Sequence, residues 1–318
     1  MIAKRLVAAL FAVGLILGAW LVRDRVIDDD DRADAADDDG DDGDDDDGDD
    51  NGDANTLVCV SELRDVCRAV ADRLAGDVTV RIADAGATLD ELAGGDGGEP
   101  MWLTFDPFPQ MVDELRRARG ANPIAGDESR LASSPLAAVV LPDSTAALAE
   151  SCGDPIDLAC LADHTDLSPT FAPIDTGVGT LGVAAAVAAH GGGSFDPNSL
   201  GLLTWARRLE GAGFPALSGG TAVQTIQTRP SFDVAIGAEA ELANARRDAF
   251  DVLYAEPMTS VDVVLMVPDG IDPPDRLAVS LGETLRSRGW LAPAQSPNAG
   301  LPDPGVIVAI RNFWKELS

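Results

Sequence analysis

From Asn55 to the C-terminus, short apolar runs alternate with stretches of helical periodicity, and this alternation restricts the fold more than any other feature of the chain. A strand followed by a helix and another strand closes most readily as a βαβ unit, with both strands in one sheet. The pattern predicts strands at Thr56–Val60, Val78–Ala83 and Met101–Phe105, with helices over Ser61–Leu74 and Thr88–Ala93 between them. Leu63, Val66, Cys67, Val70 and Leu74 share one face of the first helix, and Ser61 stands where a capping hydroxyl belongs. A helix over Phe108–Arg119, a loop over Ala121–Arg130 and a long extended run over Leu131–Leu141, interrupted by Pro135, follow. The middle is helix-rich, with Ser144–Glu150, Pro155–Ala162, Val178–His190, Ser199–Glu210 and Gly220–Thr228. Strands return at Phe232–Ile236, Ala249–Ala255 and Ser260–Pro268, before helices over Pro274–Arg288 and Pro304–Glu316. The expected class is α/β, with a mixed, mostly parallel sheet in each of two lobes. Ala138–Pro142 and Met258–Pro268 flank the helical middle and are expected to cross together as a hinge. They divide residues 55–138 and 262–318 from residues 139–261.

Two segments precede this domain, a leader over residues 1–27 and a spacer over residues 28–54. In the leader, Lys4 and Arg5 come before an uncharged apolar stretch of 17 residues, Leu6–Val22. That length is the lower limit for a helix across about 30 Å of hydrocarbon. The charges set the N-terminus inside, and Trp20 and Arg23 suit the outer interface. The expectation is a retained single-pass anchor in the cell membrane, with the C-terminal domain extracytoplasmic; a cleaved signal peptide shares the plan, and a buried helix is the third alternative. Asp28–Asp53 holds 17 aspartates and one arginine, about half of the net charge of −31. With no apolar side chain larger than alanine, it is expected to remain a disordered acidic linker. Asp47, Asp49, Asn51 and Gly52 match half of a calcium-binding loop, but Val58 stands where the closing glutamate belongs, so no metal site is assigned. The acidity, without any Lys/Arg cluster, excludes nucleic acid as a partner.

Cys59 with Cys67, and Cys152 with Cys160, form two close pairs that suggest disulfides in an exported chain. Buried thiols and a shared zinc site are the alternatives, although the spacing is not C-x-x-C. His164 and His190 are the only histidines, and no G-x-S-x-G accompanies them. Neither a nucleophile with its base nor a cofactor site is indicated, and the chain is expected not to be an enzyme. Trp102 and Trp205 read as core.

Gly177, Gly179 and Gly182 fit G-x-G-x-x-G, yet the preceding Pro173–Thr176 is a poor strand, which argues against a dinucleotide. Thr176, Gly177 and Thr180 nevertheless open a helix whose free N–H groups suit an anion or carboxylate. Ser61, Ser133 and Ser134 offer hydroxyls to a polar ligand, and Asp106 and Glu256 follow strands and could meet a cation or amine. For each, ordinary capping, backbone bonding or solvation is the alternative.

The order of elements over Asn55–Ser318 resembles the type II periplasmic binding protein fold. Leu57–Leu63 and Met101–Asp106 are similar to the first and third strand positions of the molybdate-binding-like group, while Arg130–Val140 and Tyr254–Pro268 look like its two crossovers. Gly289–Pro293 and Gly300–Gly305 resemble the tail of membrane-anchored relatives that travel with von Willebrand A domains. The resemblance implies a membrane-tethered extracytoplasmic solute-binding protein that closes two lobes on a small polar or anionic solute and breaks no bond. A cell-envelope module that keeps the fold but recognises a protein partner is the alternative. The solute reading expects a concave cleft with convergent donors around Ser61, Asp106, Ser134 and Thr176; a cleft filled by side chains would count against it.

Overall fold

The computed structural model describes residues 56–74, 77–95, 99–163, 168–211, 221–228, 232–244, 249–293 and 300–317. The leader, the acidic spacer with its half calcium loop, and His164 lie outside the described residues. The chain runs β1 (Thr56–Val60), α1 (Arg64–Arg73), β2 (Thr79–Ala83), α2 (Ala85–Gly94), β3 (Met101–Asp106), α3 (Phe108–Ala118) and β4 (Gly126–Val140). It continues with α4 (Pro142–Cys152), β5 (Pro169–Phe171), α5 (Gly177–His190), α6 (Leu200–Gly211), α7 (Ala222–Thr228), β6 (Val234–Ala238) and β7 (Asp251–Tyr254). Strand β8 (Ser260–Pro268) and helices α8 (Leu277–Ser287) and α9 (Pro304–Leu317) close the fold.

The strands form one sheet in the order β2-β1-β3-β8-β4-β6-β5, with β7 also on β4. Pairs β1–β2, β1–β3 and β5–β6 are parallel, but β8 runs against β3 and β4, and β4 runs against β6 and β7. The sheet is therefore mixed rather than mostly parallel. Alternation along the sequence orders strands and helices, whereas strand direction depends on which way the long return connections enter the sheet.

Strand β4 holds the two ends of the sheet together. Its first part pairs with β8 from Gly126 opposite Pro268 to Pro135 opposite Ser260, and Leu136–Val140 then pair with β6. Half of the expected loop at Ala121–Arg130 is thus strand. Gly126–Arg130 carries no apolar signal because all five residues are exposed. Pro135, which has no N–H, sits where the strand changes partners. At that point the Leu136 N–H donates to the Thr259 carbonyl at 2.8 Å; of the two runs expected to cross together, Ser260–Pro268 lies along Gly126–Pro135, whereas Ala138–Val140 pair with β6 and β7.

Two further elements differ from the sequence pattern. The helix expected over Pro155–Ala162 is a short 3₁₀ turn over Leu158–Asp163, preceded by a bridge from Ile156 to Ala255. The three-residue β5 was not anticipated, being too short to show a period. Both cysteine pairs are disulfides, Cys59–Cys67 joining β1 to α1 and Cys152–Cys160 joining α4 to the 3₁₀ turn, which excludes free thiols and a zinc site.

One continuous apolar cluster runs through both ends of the sheet. Trp102 and Trp205 belong to it, as expected. Helix α9 carries it across: Trp314 meets Trp205 edge-on at 6.4 Å, and Phe313 meets Phe195 at 6.0 Å.

Candidate functional site

At the start of α5, polar groups from distant parts of the chain converge. Gly177–His190 is rich in alanine and apolar residues, a composition that favours helix. Thr176 caps it: its Oγ1 accepts the Gly179 N–H at 3.1 Å and donates to the Pro173 carbonyl at 2.7 Å. The glycines are there for close approach. A Cβ on Gly177 would lie 2.2 Å from the Phe105 ring, and one on Gly179 would lie 2.1 Å from the Pro173 carbonyl oxygen. Packing thus accounts for these two glycines of the G-x-G-x-x-G match.

Glu62, in the turn between β1 and α1, faces this helix end. Its Oε1 accepts the Val178 N–H at 3.1 Å, and the Gly177 N–H is a second donor. Its Oε2 lies 3.1 Å from the Ser61 hydroxyl, which is also 2.6 Å from an oxygen of Asp84. One hydroxyl proton cannot serve both carboxylates. Burial raises the Glu62 carboxyl above the ordinary value, against the pull of these donors. Ser61 does not cap α1 as expected, because the 3₁₀ turn over Ser61–Leu63 displaces the helix start to Arg64.

Beside Glu62, Asp175 anchors the same helix end. Its carbonyl accepts the Gly86 N–H at 2.8 Å, and its carboxylate meets Arg311 at 3.1 Å and Lys315 at 2.7 Å. Arg311, almost completely buried, holds Asp90 through two bonds of 2.9 and 2.8 Å and the Gly86 carbonyl through a third of 3.0 Å. The Arg311 hydrogen bond keeps the Asp90 carboxyl below the ordinary range. Phe105, packed on Gly177, stacks on Trp290 at 6.1 Å.

A second polar group lies at the crossover. Asp106 pairs with Arg130 at 2.6 Å, and Arg130 reaches the buried Asp262 at 3.6 Å. Ser133 donates to Asp262 at 2.5 Å. Burial raises the Asp106 carboxyl; Arg130 opposes the shift and Asp262 adds to it.

The structure thus gathers Ser61, Thr176 and Gly177 around Glu62, and Asp106 and Ser133 around Arg130 and Asp262. Ser134 accepts the Ala240 N–H at 2.9 Å, and Thr180 donates to the Ile174 carbonyl at 2.5 Å. Glu256 is exposed near the other end of α5, where with Asp157, Gly192 and Gly193 it lines a cavity of about 390 Å³. His190 stacks on Trp205 at 4.7 Å. Among the described residues, no group of three or more His, Cys, Asp or Glu is placed to hold a metal ion.

Of the four residues expected to converge, Ser61 and Thr176 lie at the α5 start, where Glu62 of the protein itself takes up the helix N–H groups, while Asp106 bonds to Arg130 and Ser134 to Ala240. Sequence reasoning missed Glu62, Asp175 and Arg311. The available signals were an acidic residue directly after a presumed cap, and a lone arginine within the apolar periodicity of the last helix.

No protein-family model matches the chain, and no curated protein matches it. Solved structures do. The ferric binding protein from Campylobacter jejuni aligns with 82% of this chain and 96% of its own, at TM-score 0.52 and 8% identity. Iron-bound HitA from Pseudomonas aeruginosa aligns over 83% and 99%, at 0.53 and 12%. The periplasmic binding protein AfuA from Actinobacillus pleuropneumoniae, with fructose-6-phosphate bound, aligns over 82% and 95%, at 0.51 and 11%. At these identities the likeness is one of fold: the described chain has the mixed α/β architecture of the type II periplasmic binding proteins.

Proposed function

We propose that residues 55–318 form an extracytoplasmic solute-binding protein, tethered to the membrane through residues 1–27 and the acidic spacer, which receives a small polar or anionic solute at the start of α5 and does no chemistry on it. The observation that carries this reading is the start of α5, whose Gly177 and Val178 N–H groups suit an anion; that Glu62 fills them from within the chain favours the second reading below. The fold supports the same role, since the solved neighbours include one bound to iron and one bound to a sugar phosphate. Placement in the molybdate-binding-like group rests on the strand and crossover patterns alone.

A second reading has its own support. The hydroxyls of Ser61, Ser133, Thr176 and Thr180 are all bonded within the chain, as suits an envelope module that kept the fold and recognises a protein. A thermal-shift screen of the full chain against oxyanions, sugars and amino acids separates the two. A solute present at about 100 times its Kd stabilises the protein by roughly 2.7 kcal/mol and moves the transition accordingly. No shift with any solute, together with recovery of one envelope protein with the chain, would decide for the module.

A further inference from the structure

We infer that a cavity between α3 and the sheet binds a small amino alcohol, a cation that carries one hydroxyl on a short hydrocarbon. The site goes beyond the solute-binding reading, because it shares no residue with the groups gathered at the start of α5 or at the crossover.

The sheet builds one wall. Trp102 of β3 stands opposite Met266 of β8, and Met266 stands opposite Glu128 of β4, so the three side chains form a row on a single face. Pro109, Gln110 and Asp113 of α3 line the other side, leaving a cavity of about 110 Å³, several times the space that one water needs. Two polar groups of these lining residues have no partner among the described residues. They are the indole N–H of Trp102, a residue only 1% exposed, and the Oε1 of the half-buried Gln110. The Gln110 amide is oriented by its Nε2, which donates to the Glu128 carboxylate at 2.7 Å and leaves Oε1 over. Native folds rarely leave a buried donor and a buried acceptor unmet, so the two point to a ligand atom that both accepts and donates. A hydroxyl does both.

Charge and surface select the rest of the ligand. Three carboxylates line the cavity, those of Glu99, Asp113 and Glu128, and no cationic side chain does. Glu99 is already paired with Arg116 at 2.8 Å, and Asp113 accepts the Ile124 N–H at 2.9 Å. Glu128 has no ion-pair partner among the described residues, since its neighbour Arg130 turns to Asp106 at 2.6 Å. It is also exposed, so a solute reaches the cavity from its side. An ammonium group suits Glu128, whereas an anion would meet like charge on every acidic residue of the lining. Leu92, Pro109, Ile124 and Met266 offer apolar surface to the methylenes between ammonium and hydroxyl.

The test uses the full chain and three isosteres, ethanolamine hydrochloride, propylammonium chloride and ethylene glycol, with sodium chloride at equal ionic strength as the control. Ethanolamine is expected to move the Trp102 indole N–H resonance and to raise the Tm, both saturably. Propylammonium lacks the hydroxyl and ethylene glycol lacks the charge, so each should need at least roughly tenfold more to do the same. Glu128→Gln, a change at an exposed position, should weaken ethanolamine to the level of ethylene glycol. Trp102→Phe should erase the preference for ethanolamine over propylammonium; Gln110→Leu, outside the core, should reduce the same preference even where Trp102→Phe does not fold. No saturable movement of the Trp102 resonance with any of the three would show that water alone meets this N–H and would overturn the site. Ethylene glycol matching ethanolamine, or Glu128→Gln binding it as the parent does, would overturn the cation, and propylammonium matching it would overturn the hydroxyl. None of these results bears on the α5 reading, whose residues lie outside this cavity.

Discussion

At the scale of single residues, Glu62 has the most readable consequence. An acid whose pKa is higher in the folded than in the unfolded protein keeps its proton longer when folded. Stability then falls as pH rises from the ordinary value, 4.5, towards the raised one. Glu62→Gln deletes this contribution. The difference in Tm, variant minus parent, should therefore grow as pH rises through that interval and level off above it. Thermal melts between about pH 4 and 8 measure it against the ordinary carboxyl range, and a difference independent of pH would show that Glu62 does not titrate in this way. The comparison matters because Asp106 and Glu128 are also raised by burial, so the parent's profile alone would not isolate Glu62. Neighbouring residues show why such a site is hard to read from sequence. Ser61 was legible as a helix-start residue, but whether its proton goes to the backbone or to Asp84 depends on where β2 ends. Gly177 was legible as a close-approach glycine, but the approaching group, Phe105, is 72 residues away in the chain.

At the scale of elements, the β1–α1 turn that presents Glu62 is stapled by Cys59–Cys67, which closes a loop of eight residues beneath it. Both cysteines are fully buried, so the bridge is part of the core and holds the turn. Replacing both by alanine is expected to cost about 2.5 kcal/mol from loop closure, measured by chemical denaturation. The same variant should also loosen the Glu62 hold on α5, seen as faster amide hydrogen exchange at Val178. Stability lost without faster exchange there would mean that the turn keeps its shape unaided. Element positions were largely visible in the sequence: β1, β3, α3, α5, α6, β8 and α9 lie where the apolar periods put them. The first part of β4 was not visible, because an exposed edge held by backbone pairing leaves no apolar pattern. The turn at Leu158–Asp163 was misread because a disulfide-closed loop and a bridge to Ala255 outweigh local helix propensity.

At the scale of the whole molecule, the net charge of −31 should act against compaction, and about half of it lies in Asp28–Asp53. Screening reaches about 10 Å at 0.1 M salt and about 3 Å at 1 M. The Tm of the full chain is therefore expected to rise with sodium chloride over that range, and a chain lacking Asp28–Asp53 should rise less. A Tm that falls with salt in both would show that ion pairs such as Arg311 with Asp90 and Asp175 dominate over the general repulsion. The extent of the core bears on function at this scale too. Because α9 carries apolar packing from one end of the sheet to the other, any relative motion of those ends must either slide Trp314 against Trp205 or stay small.

By itself, the sequence determined the class of elements, their order and the pairing partners of the cysteines. These follow from short-range periodicity and from the close spacing of the cysteines in two pairs, both written within a few residues. Only the tertiary structure decided strand directions, the identity of the groups at the α5 start and the fact that the protein's own carboxylate fills it. Glu62, Gly86, Phe105, Asp175 and Arg311 meet through long-range packing, and no local pattern encodes which distant side chain will satisfy a helix N-terminus.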